Sequence, residues 1–181
     1  MKKSLGTLLL VFATLTISSA QVIGKMFPNM DAETVEDKKV KLPNDTKGKY
    51  TLLGLAYSKK SEDDLNSWFS PVYNKFVRKP EGLLAGLGYD VHVYFVPMFT
   101  GVNAAATGTA KRKAIKNIDP LILPYILFYK GELKPYKDAL DFAKRDIPYF
   151  FVLDPEGKIV FATSGPFTEA KLDEAEESIE D

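Results

Sequence analysis

The chain has 181 residues, and its 24 basic and 24 acidic side chains leave no formal net charge. This balance excludes the electrostatic footprint expected of a protein that binds nucleic acid or anionic membranes. The chain contains no cysteine, which excludes chemistry that needs a thiolate nucleophile, both disulfide reduction and thiol peroxidase activity.

The N-terminus has the pattern of a secretory signal peptide over residues 1–20. Lys2 and Lys3 precede an apolar run over 5–17, and small residues lead to a cleavage site after Ala20. The run is shorter than the roughly 20 residues that cross a bilayer, and no cysteine follows it to carry a lipid. We therefore expect export to a bacterial periplasm or beyond it, without a stable membrane anchor.

Residues 21–181 show no repeat, low-complexity tract or long linker, so we expect one domain there. Its first predicted element is a small hairpin over Thr34–Leu42, with charged residues at the turn. The apolar run Tyr50–Tyr57 follows. This run is short and bounded by polar residues, which is typical of a strand covered on both faces.

A helix is predicted next, with Ser61 as its N-cap and Asp64 three residues on, as in a loose capping box. Acidic residues in its first turn suit the positive end of the helix dipole. Pro71 falls inside the helix and predicts a kink. Apolar side chains recur at helical spacing and predict one buried face: Leu65, Trp68, Phe69, Val72, Tyr73 and Phe76.

The middle of the chain alternates between strand and helix patterns. A strand is predicted to end at Pro97, and an Ala- and Lys-rich helix follows it. The predicted elements are a strand over Asp90–Val96, a helix over Asn103–Asn117, a short strand over Pro124–Tyr129 and a helix over Tyr136–Arg145.

The C-terminal part predicts a β-hairpin followed by a helix. Two apolar runs, Tyr149–Leu153 and Lys158–Ala162, flank Asp154–Gly157, whose Pro and Gly positions fit a type I turn. Thr168 is predicted to cap the last helix. Strand–helix alternation followed by a hairpin and a helix predicts an α/β fold, with a central mixed sheet flanked by helices.

These elements come in an order that resembles the thioredoxin-like superfamily, in its secreted thioredoxin- and peroxiredoxin-like branch. The likeness is carried by Gly24–Pro28, by Lys47–Lys49 between the hairpin and the first long strand, and above all by Asp146–Val160. It implies a thioredoxin-like fold with an N-terminal β-hairpin extension. It also implies a proline loop at Pro148 with a cis Ile147–Pro148 bond.

The chain departs from that family at the helix that follows the first long strand. There the family has a reactive Cys-x-x-Cys, with a proline five residues after the second cysteine. Counting back from Pro71 places Asp63 and Asn66 at the two cysteine positions, whereas counting forward from the strand gives Lys60 and Asp63. Neither register supplies a thiol, so the resemblance implies the fold without its usual reaction.

A weaker likeness links the chain to thioredoxin-like assembly factors of the mitochondrial ATP synthase. It rests on Tyr125–Tyr129, on Val152–Asp154 and on Lys158–Gly165. This likeness implies that the fold also serves in non-redox chaperone work.

Other chemistry finds little support in the residues. His92 is the only histidine, so we expect no metal centre and no cofactor. The chain has no Gly-x-Ser-x-Gly elbow, and we interpret Ser58 and Ser61 as turn and capping residues. A local basic patch is interpreted as a solvated helix face, with partner docking as the alternative: Lys111, Arg112, Lys113 and Lys116.

The sequence thus favours a redox-inactive envelope protein that binds a protein or an extended peptide, with no nucleic acid partner. The helix start and the proline loop form a shared concave edge in this fold, with a predicted lining of Ser58, Asp63, Trp68, Ile147 and Pro148. Trp68 is also predicted to pack in the core. Two alternatives remain: a small-molecule enzyme using carboxylates such as Asp63, and a purely structural envelope domain.

Overall fold

The computed structural model describes residues 21–79 and 88–180, so the predicted signal peptide lies outside the described residues. Within these ranges the chain forms a seven-stranded sheet with helices against it. The strands are β1 Met30–Glu33, β2 Lys39–Leu42, β3 Tyr50–Ala56, β4 Val91–Thr100, β5 Phe128–Gly131, β6 Tyr149–Leu153 and β7 Ile159–Ser164. The helices are α1 Lys59–Asn66, α2 Phe69–Val72, α3 Thr107–Asn117, α4 Lys134–Ala139 and α5 Glu169–Glu180.

The strand order across the sheet is β2-β1-β5-β4-β3-β6-β7. β3, β4 and β5 run parallel to one another, while β6 and β7 form an antiparallel hairpin beside β3. The β1–β2 hairpin pairs antiparallel with β5. The prediction of an α/β fold with a mixed sheet and an N-terminal hairpin extension is confirmed.

The sheet separates two layers of buried apolar side chains, as the alternation of strand residues requires. Leu53 and Leu55 of β3 point to the layer covered by α4, whereas Leu52 points to the layer covered by the other helices. The second layer receives Trp68 from between α1 and α2, together with Ala114 of α3. Helices therefore cover both faces, as predicted.

The helix that follows β3 begins earlier than predicted and is broken in the middle. Ser58, not Ser61, is the N-cap, and Ser61 is the third residue of the capping box. α1 and α2 are separated at Ser67 and Trp68, and a π-helical turn over Tyr73–Val77 follows. The break is expected because Pro71 has no N–H to donate to the carbonyl four residues earlier.

Several predicted boundaries also shift. β4 does not end at Pro97 but runs through it, because the strand changes neighbour there: Pro97 is its last pairing with β3, and Met98 begins the pairing with β5. Residues Gly101–Ala106 form a 3₁₀ helix ahead of α3. The predicted strand over Pro124–Tyr129 begins as a 3₁₀ turn, so β5 starts only at its end.

The predicted cis Ile147–Pro148 bond is wrong. The cis peptide bond in the described part of the chain is Leu42–Pro43. Ile147–Pro148 is trans, which is the isomer that X–Pro bonds generally favour. The predicted helix over Tyr136–Arg145 is also too long, since α4 ends at Ala139 and Asp141 adopts a left-handed φ of 53°.

Candidate functional site

The loops that follow the parallel strands and the loop that precedes β6 lie at one edge of the sheet. Parallel strands bring their carboxyl ends to the same edge, which is where α/β folds bind ligands. We call this the loop edge and define it by residues 57–61, 101–106 and 141–148. The first and last of these segments are in direct contact, because the Tyr57 hydroxyl donates to the Lys144 carbonyl at 2.8 Å.

A pair of serines opens α1 at the loop edge. The Ser58 Oγ accepts from the backbone N–H of Ser61 at 3.1 Å, and the two hydroxyl oxygens are 3.1 Å apart. The Ser61 Oγ accepts from the backbone N–H groups of Tyr57 at 3.2 Å and Ser58 at 2.9 Å. It donates to the Ser58 carbonyl at 2.9 Å. Both hydroxyls thus complete the hydrogen bonding of a helix start, which confirms that these serines are turn and capping residues.

This pair corrects the register derived from the sequence. The residues that open the helix after the first long strand are Ser58 and Ser61, with the spacing of the Cys-x-x-Cys implied by the family resemblance. Asp63, Asn66 and Lys60 lie further along α1. Counting back from Pro71 gives the wrong positions, because Pro71 follows Ser61 by ten residues, whereas the family has a proline five residues after the second cysteine. Counting from the buried strand end, and noting the Ser-x-x-Ser spacing, would have found the pair.

No histidine accompanies the serines in the part of the chain that the structure describes. His92 lies near the start of β4 and pairs with Thr51 near the start of β3, so it is at the opposite edge of the sheet. Burial is the main cause that lowers the pKa of His92, and the neighbouring Lys49 lowers it further. A Ser-His-Asp arrangement is therefore not formed by the described residues. A serine hydroxyl without a base is a weak nucleophile.

An aromatic stack holds the 141–148 loop in place. The Phe142 ring stacks between Tyr57, with centroids 5.3 Å apart, and Tyr149, at 4.5 Å. Both tyrosine hydroxyls donate to the Lys144 carbonyl, and the Tyr149 oxygen also accepts from the Lys144 N–H at 2.7 Å. Burial raises the pKa of Tyr57 to about 12. Both tyrosine hydroxyls therefore stay neutral and donate hydrogen bonds to the Lys144 carbonyl. These bonds hold the 141–148 loop against the aromatic stack.

The Pro148 side of the loop edge combines a mainly apolar cavity with two exposed residues. Pro148 is buried, and its carbonyl accepts from the Gly165 N–H at 2.8 Å. Arg145 and Asp146 are exposed, and their backbone groups make no hydrogen bond within the described ranges. A cavity of about 70 Å³ lies beside them, lined by Val22, Leu140, Asp141, Ala143, Lys144, Ile147, Tyr149, Phe151, Ala162, Thr163 and Ser164.

The structure brings together three of the five predicted lining residues. Ser58, Ile147 and Pro148 lie at the loop edge. Trp68 does not, because it is 0% exposed, stacks on Phe150 with centroids 3.9 Å apart, and donates its indole N–H to a backbone carbonyl. Its predicted place in the core is confirmed. Asp63 lies on the outer face of α1, where its carboxylate pairs with Lys59 at 2.6 Å.

Asp63 also lacks the environment that a catalytic carboxylate needs. Its side chain is 61% exposed, and it lines neither the cavity beside Ile147 nor the open groove between α2 and α5. A half-buried carboxylate does follow Ser61 directly in the chain, that of Glu62, which the sequence analysis did not single out. Burial raises the pKa of Glu62. Its signal in the sequence was only its place directly after Ser61.

Comparisons with known proteins define the fold. No protein-family model and no curated protein sequence matches the chain. Among solved structures it is similar to yeast Sco1 with copper bound, at 16% identity and a TM-score of 0.54, covering 86% of this chain and 92% of that one. It is also similar to the C-terminal domain of a putative thiol-disulfide oxidoreductase from Bacteroides thetaiotaomicron, at 17% identity and a TM-score of 0.55, covering 87% and 95%.

The similarity extends to the exposed lipoprotein thioredoxin Etrx1 of Streptococcus pneumoniae, at 18% identity and a TM-score of 0.50, covering 83% of this chain and 99% of that one. The fold is thus thioredoxin-like. The chain carries this fold without any cysteine, which is compatible with a lack of thiol redox activity. No helix within the described ranges has the length and apolar character that a membrane span needs.

Proposed function

We propose that this chain is a redox-inactive thioredoxin-fold module of the bacterial envelope that binds an extended segment of another protein at the loop edge. In this proposal residues 1–20 direct export and residues 21–181 form the binding domain. The N-terminal pattern of two lysines, an apolar run and small residues supports export.

The serine pair supports a binding role rather than a catalytic one. In the family the two positions that open this helix carry the reactive thiols. Here the hydroxyls of Ser58 and Ser61 form hydrogen bonds with each other and with the local backbone. The two hydroxyls therefore cap the helix and do not act as nucleophiles. The surface around the helix start can then serve as a contact surface.

The proposal rests on the backbone groups of Arg145 and Asp146, which make no hydrogen bond among the described residues. Their N–H and C=O groups have no partner in the described part of the chain, although Tyr57 and Tyr149 hold the neighbouring Lys144 in place. A fixed loop with free backbone groups can bind the main chain of an extended peptide at little ordering cost. Most residues that line the cavity beside Ile147 are apolar, so the cavity suits a small side chain of that peptide.

Site-specific photo-crosslinking in the native envelope tests this proposal. A photoreactive amino acid replaces Arg145 in one variant and the exposed Lys39 of β2, at the far side of the sheet, in a matched control. We expect one partner to crosslink at Arg145 and not at Lys39, through a segment that mass spectrometry maps to a few consecutive residues. The purified partner should then bind the unmodified chain.

Two results would refute the proposal. Equal crosslinking at both positions would indicate non-specific contact. Crosslinking at Lys39 alone would place the binding surface on the N-terminal hairpin instead of the loop edge.

A further inference from the structure

Helices α3 and α5 lie at the two sides of the same face of the sheet. Both contribute to the same buried layer, but α3 packs beside β5 whereas α5 packs beside β6 and β7. Four strand spacings of about 4.8 Å separate β5 from β7, so about 19 Å lies between the strands at these two positions. Ion pairs between the exposed faces of these helices cannot form within one copy.

The exposed face of α3 is basic, and no described residue forms an ion pair with its charges. Arg112, Lys113 and Lys116 are exposed and make no ion pair among the described residues, and α3 contains no acidic residue. Lys111 is not part of this face. Its ammonium group is buried and pairs with Glu33 at 2.8 Å and with an aspartate of the hairpin turn. Ile115, 55% exposed, adds an apolar contact between the cations.

The exposed face of α5 carries the opposite charge. Glu169, Glu174 and Glu177 are exposed and make no ion pair in the described ranges. The only basic residue of the helix, Lys171, makes no ion pair with them among the described residues. Its ammonium donates to the carbonyls of Ser164 and Pro166, both at 2.9 Å, and the charge of Glu174 acts on it only through space.

The two faces match in charge and in spacing. Lys113 and Lys116 are three residues apart, and so are Glu174 and Glu177, so each pair spans about 4.5 Å along its helix axis. We propose that copies of this chain associate head to tail, with the acidic face of α5 of one copy on the basic face of α3 of the next. The contact uses two different surfaces, so it is heterologous and leaves a free face at each end.

A second copy is the occupant favoured by the charges on the chain itself. The chain presents both complementary surfaces, and residues 21–181 carry a net charge of only −2, because Lys2 and Lys3 precede them, so copies repel one another only weakly at long range. Exposed ion pairs are individually weak, so the association is weak and strongly dependent on salt. This inference concerns a surface apart from the peptide-binding surface proposed above.

Sedimentation velocity of the protein purified from its native cells tests the proposal. At an ionic strength of about 0.01 M, where the Debye length is about 30 Å, we expect the sedimentation coefficient to rise with concentration beyond that of a dimer. At about 1 M, where the Debye length is about 3 Å, only the monomer should remain.

Neutralising variants test the two faces separately. Lys113→Gln/Lys116→Gln and Glu174→Gln/Glu177→Gln should each lower the association constant about two- to thirtyfold, since each loses two charges of one face. Mixed in equal amounts, they should form a one-to-one dimer and nothing larger, because only one basic and one acidic face remain in the mixture.

The control variant neutralises Lys39 and Lys41, two exposed lysines of β2, and should associate as the unmodified protein does. The proposal is overturned by a monomer at low salt, by association that survives at high salt, by a dimer that never grows, or by a mixture that stays monomeric. Binding of anionic vesicles through Lys113 and Lys116 without self-association would overturn it in favour of a lipid surface.

Discussion

Ser61→Ala is expected to destabilise the protein more than any other single change at the start of α1. The Ser61 side chain is 0% exposed, and its hydroxyl satisfies the backbone N–H groups of Tyr57 and Ser58. Leaving a buried donor without a partner costs about 1–3 kcal/mol. Two such donors place the loss near 3 kcal/mol, which lowers Tm by about 6–12 °C for a domain of this size.

Ser58→Ala provides the comparison within the same capping box. It removes the acceptor for the Ser61 N–H and the hydrogen bond to the Ser61 hydroxyl, and the loss of a serine N-cap costs about 1 kcal/mol. Urea unfolding followed by far-ultraviolet circular dichroism measures both variants. Ser70→Ala, an exposed serine of α2, is the control and should stay within about 0.5 kcal/mol of the unmodified protein. A loss for Ser61→Ala no larger than that for Ser58→Ala would refute the capping account.

Three further predictions concern single buried or paired groups. Ser58→Cys/Ser61→Cys should form an intramolecular disulfide on mild oxidation, detected by a loss of free thiols, which stabilises the oxidised form by about 2 kcal/mol for a four-residue loop. Thr51→Val should raise the free energy of unfolding by about 1 kcal/mol, because the Thr51 hydroxyl is buried with no hydrogen-bond partner among the described residues. Glu62→Gln should stabilise the protein at pH 7 and not at low pH. Burial raises the folded-state pKa of Glu62, so its cost appears as pH rises from the unfolded towards the folded pKa and persists above it.

Each of these predictions has a matched control and a contrary outcome. Lys59→Cys/Glu62→Cys has the same spacing one residue further on and should form its disulfide less readily. Equal disulfide formation in the two variants would show that positions 58 and 61 are not better placed for a disulfide than their neighbours. A less stable Thr51→Val would mean that the hydroxyl has an unseen partner. For the pH series, Glu177→Gln on the exposed face of α5 is the control, and a constant effect of Glu62→Gln at every pH would refute the burial argument.

The strands that the sequence predicts best are those buried on both faces. The apolar runs at Tyr50 and Tyr149 became β3 and β6 within one residue, because continuous burial leaves continuous apolar composition. The turn at Asp154–Gly157 is also predicted correctly, because its proline and glycine restrict the backbone to the turn conformation. Both signals are local, so neither depends on what the element packs against.

The candidate site was harder to predict because its local signal is ambiguous. Ser58 and Ser61 are both good capping residues, and only the three-dimensional end of β3 decides which of them is the cap. Whether β4 ends at Pro97 or continues through it depends on which strand β4 pairs with at that point, which the sequence does not show. The stack that holds the 141–148 loop joins Tyr57 to residues more than eighty positions away, which no sequence window contains.

The β1–β2 hairpin has a consequence for how the protein avoids aggregation. Without it, β5 would form an outer edge of the sheet and present unpaired backbone groups to other chains. The hairpin moves that edge to β2, a strand of four residues whose Lys39 and Lys41 are exposed. Short edges that carry lysines are poor templates for strand addition. The hairpin therefore protects this edge of the sheet, and its removal would leave β5 exposed to pairing with strands of other chains.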